Sequence, residues 1–184
     1  EVGGKLWHMG MAGPMYGMWT RDPENDFLIL IMPPDQTFIY TDRLGKRWVD
    51  EMRIGSPHNG WHAFTHFNDE ICDYDHCPSW CVFDQTLFEA GPMSTRQGDW
   101  FECGNFTTML PDELRDWEGW SDDNQAEVDK GWIIKADTIE ELAAKMKEID
   151  KWMDVGTLKA TIDTWNQVCE NGEDPEFHRS PATL

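Results

Sequence analysis

The amino-acid sequence predicts one mixed α+β domain, in which an antiparallel β-sheet carries helices packed to one side. Two observations support this class. Short apolar runs bounded by turn residues lie in the first half of the chain, and two amphipathic segments with helical spacing lie near its C-terminal end. A length of 184 residues fits one domain with a sizeable core. We therefore expect residues 1–184 to form a single domain.

The strands are predicted from apolar runs that end at prolines, glycines or charged residues. In chain order they are Phe27–Met32, Thr37–Thr41, Lys46–Val49 and Trp80–Phe83. The four residues Asp42–Gly45 separate the second run from the third, and Gly45 can adopt the positive φ that such a turn requires. This pattern predicts a β-hairpin with Glu51 at its exit.

The C-terminal segment begins with a β-rich run, Trp132–Lys135, and continues into a predicted helix. Thr138 precedes Glu141 by three residues, which is the spacing of a capping box at a helix start. Apolar residues then recur at helical spacing on one face: Ile139, Leu142, Ala143, Met146 and Ile149.

A second helix is predicted after a break around Asp154–Gly156, and Asn171–Gly172 provides a C-terminal stop. Its apolar face is made of Leu158, Ile162, Trp165 and Cys169. Two amphipathic helices with a short connector are expected to pack as an antiparallel pair against the rest of the domain.

Composition disfavours several classes of partner. A formal net charge of −20 disfavours binding to nucleic acid or to an anionic membrane, because phosphate contacts need clustered Lys and Arg. No apolar stretch approaches the length that spans a bilayer. The most acidic stretch, Pro111–Lys130, is interpreted as an exposed and partly helical excursion. The alternative is a surface for a basic partner, such as an electron-donor protein.

Histidines and cysteines in the middle of the chain raise the question of a metal site. His62 and His66 have the i, i+4 spacing that would place two imidazoles on one helix face. Cys72, Cys77 and Cys81 follow, but their spacing is unusual for zinc and no second C-x-x-C pair is present. We therefore expect no metal, although a Cys/His metal-binding or redox module stays open as an alternative, as does a non-catalytic interaction domain.

Five sequence segments, in this order along the chain, resemble one protein family. They are G-K-R-W-V-D-E (45–51), P-S-W-C-V-F-D (78–84), A-D-T-x-E-E-L-A-x-K (136–145), L-K-x-T-I-x-x-W-N (158–166) and G-E-D-P-E-F-x-R (172–179). Their order and content resemble the capping (substrate) domain of FAD-dependent fumarate reductase/succinate dehydrogenase-type flavoproteins. That superfamily also contains 3-oxosteroid dehydrogenases and urocanate reductases.

The resemblance implies a part of a longer enzyme. In this family FAD is bound mainly by a Rossmann-type domain, into which the capping domain is inserted, and no G-x-G-x-x-G occurs in this sequence. We therefore expect FAD in the parent protein but none in this chain. The implied partners are the FAD-binding domain of the same chain and a small organic substrate whose activated C–C bond is reduced or desaturated.

The position of the family's proton donor differs in this chain. In fumarate-reducing members an arginine lies four residues after the hairpin-exit glutamate, and here that position is Gly55, with Arg53 as the nearest arginine. The relay segment E-x-x-R is also missing, because Ile29–Pro34 is wholly apolar apart from its prolines. Both departures disfavour fumarate itself and favour a bulkier, more apolar substrate.

The resemblance makes Arg53 the candidate cation that faces the substrate, with His58 or His62 as a candidate acid or base. Glu51 lies between two possible ion-pair partners, Arg47 and Arg53. We interpret Glu51 as a structural partner of one of these arginines rather than as a catalytic group.

Overall fold

The computed structural model describes residues 31, 33–54, 61–94 and 120–184. Within these ranges the chain forms small antiparallel sheets with helices packed to one side, which confirms the predicted α+β class. The strands are β1 (Phe38–Thr41), β2 (Phe67–Asn68), β3 (Asp73–Tyr74) and β4 (Trp80–Phe83). The helices are α1 (Glu51–Ile54), α2 (Trp61–Phe64), α3 (Gln85–Ala90), α4 (Gln125–Asp129), α5 (Ile139–Ile149) and α6 (Val155–Asn171), and a 3-10 turn covers Pro181–Thr183.

β1 pairs with β4 and not with Lys46–Val49, the segment that follows the turn at Asp42–Gly45. The register is antiparallel, from Phe38 opposite Phe83 to Thr41 opposite Trp80. β2 and β3 form a separate two-stranded hairpin. The strand predicted at Trp80–Phe83 is thus confirmed, although its residues are half-buried.

The predicted second arm of a β1 hairpin, Lys46–Val49, does not form a strand. The turn at Asp42–Gly45 is present, but a single bridge between Thr41 and Arg47 follows it. The physical reason is that side chains occupy the free edge of β1. Glu51 accepts the backbone N–H of Tyr40 at 3.1 Å, and an arginine from the C-terminal segment donates to the carbonyl of Phe38 at 2.8 Å.

Two apolar clusters form the core of the described residues. The first gathers around β1 and α3 and contains Phe38, Leu87, Met93, Trp120 and Trp132. The second joins α5 to α6 and contains Ala143, Met146, Met153 and Leu158. The two C-terminal helices therefore pack against each other through their apolar faces, as their periodicity predicts.

The ends of these helices follow the predicted signals closely. Thr138 Oγ1 accepts the N–H of Glu141 at 3.1 Å at the start of α5. Asp154 caps α6 by accepting the N–H of Thr157 at 2.8 Å, so α6 begins at the predicted break rather than after it. Gly172, with a φ of 66°, ends the helix in the left-handed conformation.

Two predictions in the C-terminal segment are wrong. Trp132–Lys135 is not a strand, because the N–H groups of Trp132 and Ile133 donate to the carbonyl of Glu127 and close the end of α4. In the last turn of α6 Cys169 is exposed and Val168 is the buried residue, whereas Leu158 and Ile162 belong to the second core cluster as predicted.

The described part of the acidic stretch, residues 120–130, is partly helical as predicted, but it is anchored in the core by buried residues rather than exposed throughout. Trp120 is buried, and its indole N–H donates to the buried Asn124 at 2.6 Å. Glu127 is also buried and accepts hydrogen bonds from Ser121. These residues pack into the first core cluster, because a tryptophan and a hydrogen-bonded carboxylate can be buried together when the polar atoms are paired.

Some predictions lie outside the described residues. The strand at 27–32 falls almost entirely there, as do His58 and the side chain of His62. Among the helices that the structure does describe, none is long and apolar enough to cross a lipid bilayer.

Candidate functional site

A buried cluster of four charged side chains fixes the start of α1. The guanidinium of Arg47 makes two hydrogen bonds of 2.9 Å to Glu51 and one of 2.8 Å to Asp174. Arg179 donates to the same Glu51 carboxylate at 3.1 Å. The cluster contains two positive and two negative groups, so its charges balance. Of the two arginines predicted as possible partners of Glu51, Arg47 is the one that pairs with it.

Aromatic rings enclose both arginines of this ion cluster. The guanidinium of Arg47 lies 4.6 Å from the ring centre of Trp165 and 4.9 Å from that of Phe177. The guanidinium of Arg179 lies 4.9 Å from the ring centre of Trp165. Burial acts to lower the pKa of Arg47, but its hydrogen bonds to Glu51 and Asp174 outweigh burial and raise the pKa above its ordinary value. Arg47 therefore remains a cation inside the cluster.

Arg53 lies on α1 but takes no part in the ion cluster. Its side chain is 76% exposed, and its Nε lies 3.2 Å from a carboxylate oxygen of Asp50. Asp50 is buried and also accepts the N–H of Met52 at 3.1 Å, which closes the first turn of the helix. Arg53 is thus an exposed cation on a short helix whose first residue, Glu51, is fixed in the interior.

The histidine pair predicted on one helix face is not formed. α2 ends at Phe64, so His66 lies beyond the helix that contains His62. His66 instead stacks on His76, with ring centres 4.9 Å apart, and Trp48 stacks on the other side of His76 at 4.1 Å. The imidazoles therefore meet through the β2–β3 hairpin and not through helical spacing.

Asp75 lies beside these two stacked imidazoles, within reach of one nitrogen of each. It is buried, and its Oδ1 lies 2.8 Å from His66 Nδ1 and 3.6 Å from His76 Nε2. Its Oδ2 accepts a hydrogen bond of 2.9 Å from the side chain of Asn68. Burial acts to raise the pKa of Asp75, but the hydrogen bonds from His66 and Asn68 outweigh it, so the pKa lies below its ordinary value.

The cysteines are separate from this histidine group. Cys72 and Cys77 are exposed thiols. Burial raises the pKa of the Cys81 thiol to about 12, with a smaller contribution from the charge of Glu51. Within the described ranges, no cysteine belongs to a group of side chains that could share a metal ion.

The residues of the ion cluster show where sequence reasoning was incomplete. Asp174 and Arg179 belong to the segment G-E-D-P-E-F-x-R, which the sequence identifies as a family motif but to which it assigns no role. Their separation from Glu51 exceeds 120 residues, so no local spacing could connect them. The signal that could have identified them is the presence of charged residues inside a motif typical of the family.

The described residues do not fit FAD. A flavin pyrophosphate needs free N–H groups at a helix start. The starts of the two long helices are already closed by Asp154 and Thr138, and α5 carries Glu140 and Glu141 in its first turn, which would repel phosphate.

Two curated proteins are similar to the whole chain. It is 29% identical over 189 residues to an NADH:acrylate oxidoreductase from Vibrio harveyi, and 25% identical over 193 residues to a vinyl phenol reductase from Lactiplantibacillus plantarum. The matched region is 100% of this chain but 14% and 34% of the two relatives. No family model and no solved structure matches. The chain is therefore related to one region of larger oxidoreductases, which confirms the relationship to larger enzymes predicted from its motifs.

Proposed function

We propose that this chain is the substrate-capping domain of an FAD-dependent oxidoreductase that reduces or desaturates an activated C–C bond of a small organic molecule. The observation that carries the proposal is Arg53, an exposed cation on a helix fixed by buried charges, in a chain that aligns from end to end with two reductases. The flavin is proposed to be bound mainly by another domain of the parent protein. This chain would enclose the substrate and exclude water.

The two relatives support the type of bond. Acrylate and vinyl phenol, the compounds in their names, each contain a terminal C=C bond next to an electron-withdrawing or conjugated group. They share no second functional group, since one is a carboxylate and the other a phenol. A common requirement is therefore a cap that accommodates the C=C bond and its flat substituent, with the rest of the pocket varying among relatives.

Arg53 fits a role at the reacting end of such a substrate. A guanidinium stays protonated under all ordinary conditions, and its planar fork can orient a carboxylate or carbonyl through two hydrogen bonds. Among the described residues the one ion pair of Arg53 is that of its Nε with Asp50, and the guanidinium has further N–H groups that a ligand could bind. The side chain of Arg53 can thus be positioned before the substrate arrives.

Kinetics of the parent enzyme test this role. In the full-length protein we expect Arg53→Lys and Arg53→Ala to lower kcat and kcat/KM together, by about 100-fold, with a smaller change in KM. Lysine keeps the charge but loses the planar fork, so it is expected to remain impaired. Steady-state rates with acrylate and with a vinyl phenol would be compared, and bound flavin and melting temperature would be measured for each variant.

The controls distinguish Arg53 from its competitors. Lys147→Ala removes another exposed cation on α5, far along the sequence, and is expected to leave the rates unchanged. If His58→Ala or His62→Ala abolishes turnover while Arg53→Ala runs at the wild-type rate, a histidine is the proton donor and the role of Arg53 is refuted. A parent enzyme that binds no flavin would refute the proposed function as a whole.

A further inference from the structure

We propose that His66, Asp75 and His76 form a binding site for one divalent transition-metal ion, with Zn²⁺ as the ion used to test it. One ligand atom from each side chain lies within 4.8 Å of the others. Imidazole nitrogen and carboxylate oxygen are ligands that Zn²⁺, Fe²⁺, Co²⁺ and Ni²⁺ accept. The site is independent of the capping role proposed above and involves none of its candidate residues.

The distances between the ligand atoms suit a metal ion. Tetrahedral bonds of about 2.1 Å place neighbouring ligand atoms about 3.4 Å apart. The observed separations from Asp75 Oδ1 are 2.8 Å to His66 Nδ1 and 3.6 Å to His76 Nε2, which lie on either side of that value. The ligand nitrogens of the two imidazoles lie within 4.8 Å of each other, so a rearrangement on the order of 1 Å would bring all three ligand atoms to this spacing.

His76 is already arranged as a ligand. Its Nδ1 lies 2.7 Å from the backbone carbonyl of Ala63, and a carbonyl can only accept, so Nδ1 carries the proton. In the neutral ring this leaves the lone pair on Nε2, the nitrogen that faces Asp75. A hydrogen bond from the second imidazole nitrogen to a carbonyl is the usual support of a metal-binding histidine. The stacked ring of Trp48 holds the same orientation.

Asp75 is supported in the same way. Its Oδ1 faces both imidazoles, while Asn68 donates to Oδ2 at 2.9 Å and so keeps the carboxylate from rotating. The backbone carbonyl of Asp75 accepts the N–H of Arg43 at 2.9 Å, which ties the residue to the turn after β1. The buried ligand is thus held from two directions.

His66 is the ligand that must move. Its ring is stacked on His76, so an ion in the plane of His76 lies out of the plane of His66 until the latter rotates about its terminal side-chain bond. His66 is 58% exposed, which leaves room for this rotation. The ion would displace the proton shared between His66 and Asp75, and water would complete the coordination from the exposed side.

Occupation of the site would have a defined structural effect. The carbonyl that orients His76 belongs to α2, the helix that also contains His62. His66 lies just after the end of this helix, and Asp75 and His76 follow the β2–β3 hairpin. An ion bound to all three would join the two segments through bonds stronger than the present hydrogen bonds. We therefore expect a higher melting temperature and slower amide exchange in the residues around Ala63 when the site is filled.

Metal titration of the purified chain tests the proposal. After treatment with a chelator, isothermal titration calorimetry with Zn²⁺ near neutral pH is expected to give one bound ion per chain. Binding of Co²⁺ is expected to give the visible absorption bands of a metal ion with a low coordination number. His66→Gln and Asp75→Asn are each expected to weaken binding at least about 100-fold. Asn68→Ala, which removes only the support of Asp75, should weaken it about tenfold. Circular dichroism would establish that each variant is folded.

Matched variants identify the ligands. Asp69→Asn changes an exposed carboxylate in the same hairpin, and Cys77→Ser changes the thiol next to His76; both are expected to bind Zn²⁺ as the wild type does. The proposal is overturned if no ion binds at micromolar concentrations. It is also overturned if Cys77→Ser abolishes binding while His66→Gln keeps it, because the ligands would then be the cysteines.

Discussion

At the scale of single residues, the structure depends on charges that are buried but fully paired. Glu51 has no exposed side-chain surface, yet it accepts hydrogen bonds from two arginines and from the backbone of β1. Removing one partner from such a group is costly, because the remaining charges stay buried without compensation. The role of Glu51 is therefore to hold α1, and with it Arg53, against the strand.

Glu51→Gln tests this role directly. The substitution keeps the shape but leaves Arg47 and Arg179 with the single carboxylate of Asp174, so we expect a loss of about 3–5 kcal/mol in the free energy of unfolding. Denaturation with urea would measure it. The matched control, Glu141→Gln, breaks an exposed pair with Lys145 and should change stability very little. Equal effects of the two substitutions would show that the buried cluster contributes nothing special.

The residue scale also shows what the sequence reveals about the candidate site. Glu51 and Arg47 belong to one short motif, and Arg47 is one of the two arginines that the sequence offered as partners of Glu51. The choice of Asp50 as the partner of Arg53 was not predicted, since several acidic groups lie at similar spacing. Nor was Asp75, because its contacts with His66 and His76 depend on a two-residue hairpin too short to show a periodic pattern.

At the scale of elements, the turn after β1 is a packing surface as well as a reversal of the chain. Asp42 accepts the N–H groups of Leu44 and Lys46, and Gly45 has a φ of 92°. A Cβ at Gly45 would come within 3.1 Å of Leu158 in α6 and of the sulfur of Met153. The turn thus joins the β1 region to the second core cluster.

A pair of glycine substitutions separates backbone strain from this packing. Gly131→Ala is expected to cost about 1–2 kcal/mol, because its φ of 73° is left-handed but the space around it is open. Gly45→Ala should cost about 1–3 kcal/mol more, because the added methyl group also meets α6. Thermal and urea unfolding of both variants would measure the difference. Equal losses in the free energy of unfolding would mean that α6 moves away from the added methyl group without strain, and that the turn does not fix the position of α6.

The elements that the sequence predicted well are those with local causes. The starts of α5 and α6 and the end of α6 follow from Thr138, Asp154 and Gly172, whose hydrogen-bonding groups act within three or four residues. The pairing of β1 with β4 could not be predicted, because Lys46–Val49 and Trp80–Phe83 were both candidate partner strands. Side chains distant in sequence bind the free edge of β1 and so decide between them. Local chemistry decides helix ends, and tertiary contacts decide strand partners.

At the scale of the whole molecule, the chain contains a core and a set of buried charges but no described cradle for a cofactor. Two apolar clusters and the ion cluster connect β1, α1, α5, α6 and the C-terminal segment. Contacts of this kind are internal to the chain and do not need another domain. In the part of the chain that the structure describes, the starts of both long helices are already capped by Thr138 and Asp154.

We therefore expect the purified 184-residue chain to fold by itself and to be colourless. Its thermal unfolding, followed by circular dichroism, should be cooperative, and added FAD should leave the melting temperature unchanged. A purified FAD-containing flavoprotein is the positive control for the absorbance measurement. A yellow chain with one flavin per molecule would contradict this expectation and would place cofactor-binding groups among residues 1–184.

The long reach of Arg179 has a consequence for the order in which the molecule is made. Its guanidinium completes the surroundings of Glu51 and of the Phe38 carbonyl, which precede it by 128 and 141 residues. During translation those two acceptors are already outside the ribosome while their donor has not yet been joined to the chain. Until then Glu51 has only Arg47 as a cation, and the edge of β1 is open to other strands. While the 128 residues between them are made, Glu51 thus lacks one of its two arginine partners, a period in which chaperone binding would be of most use.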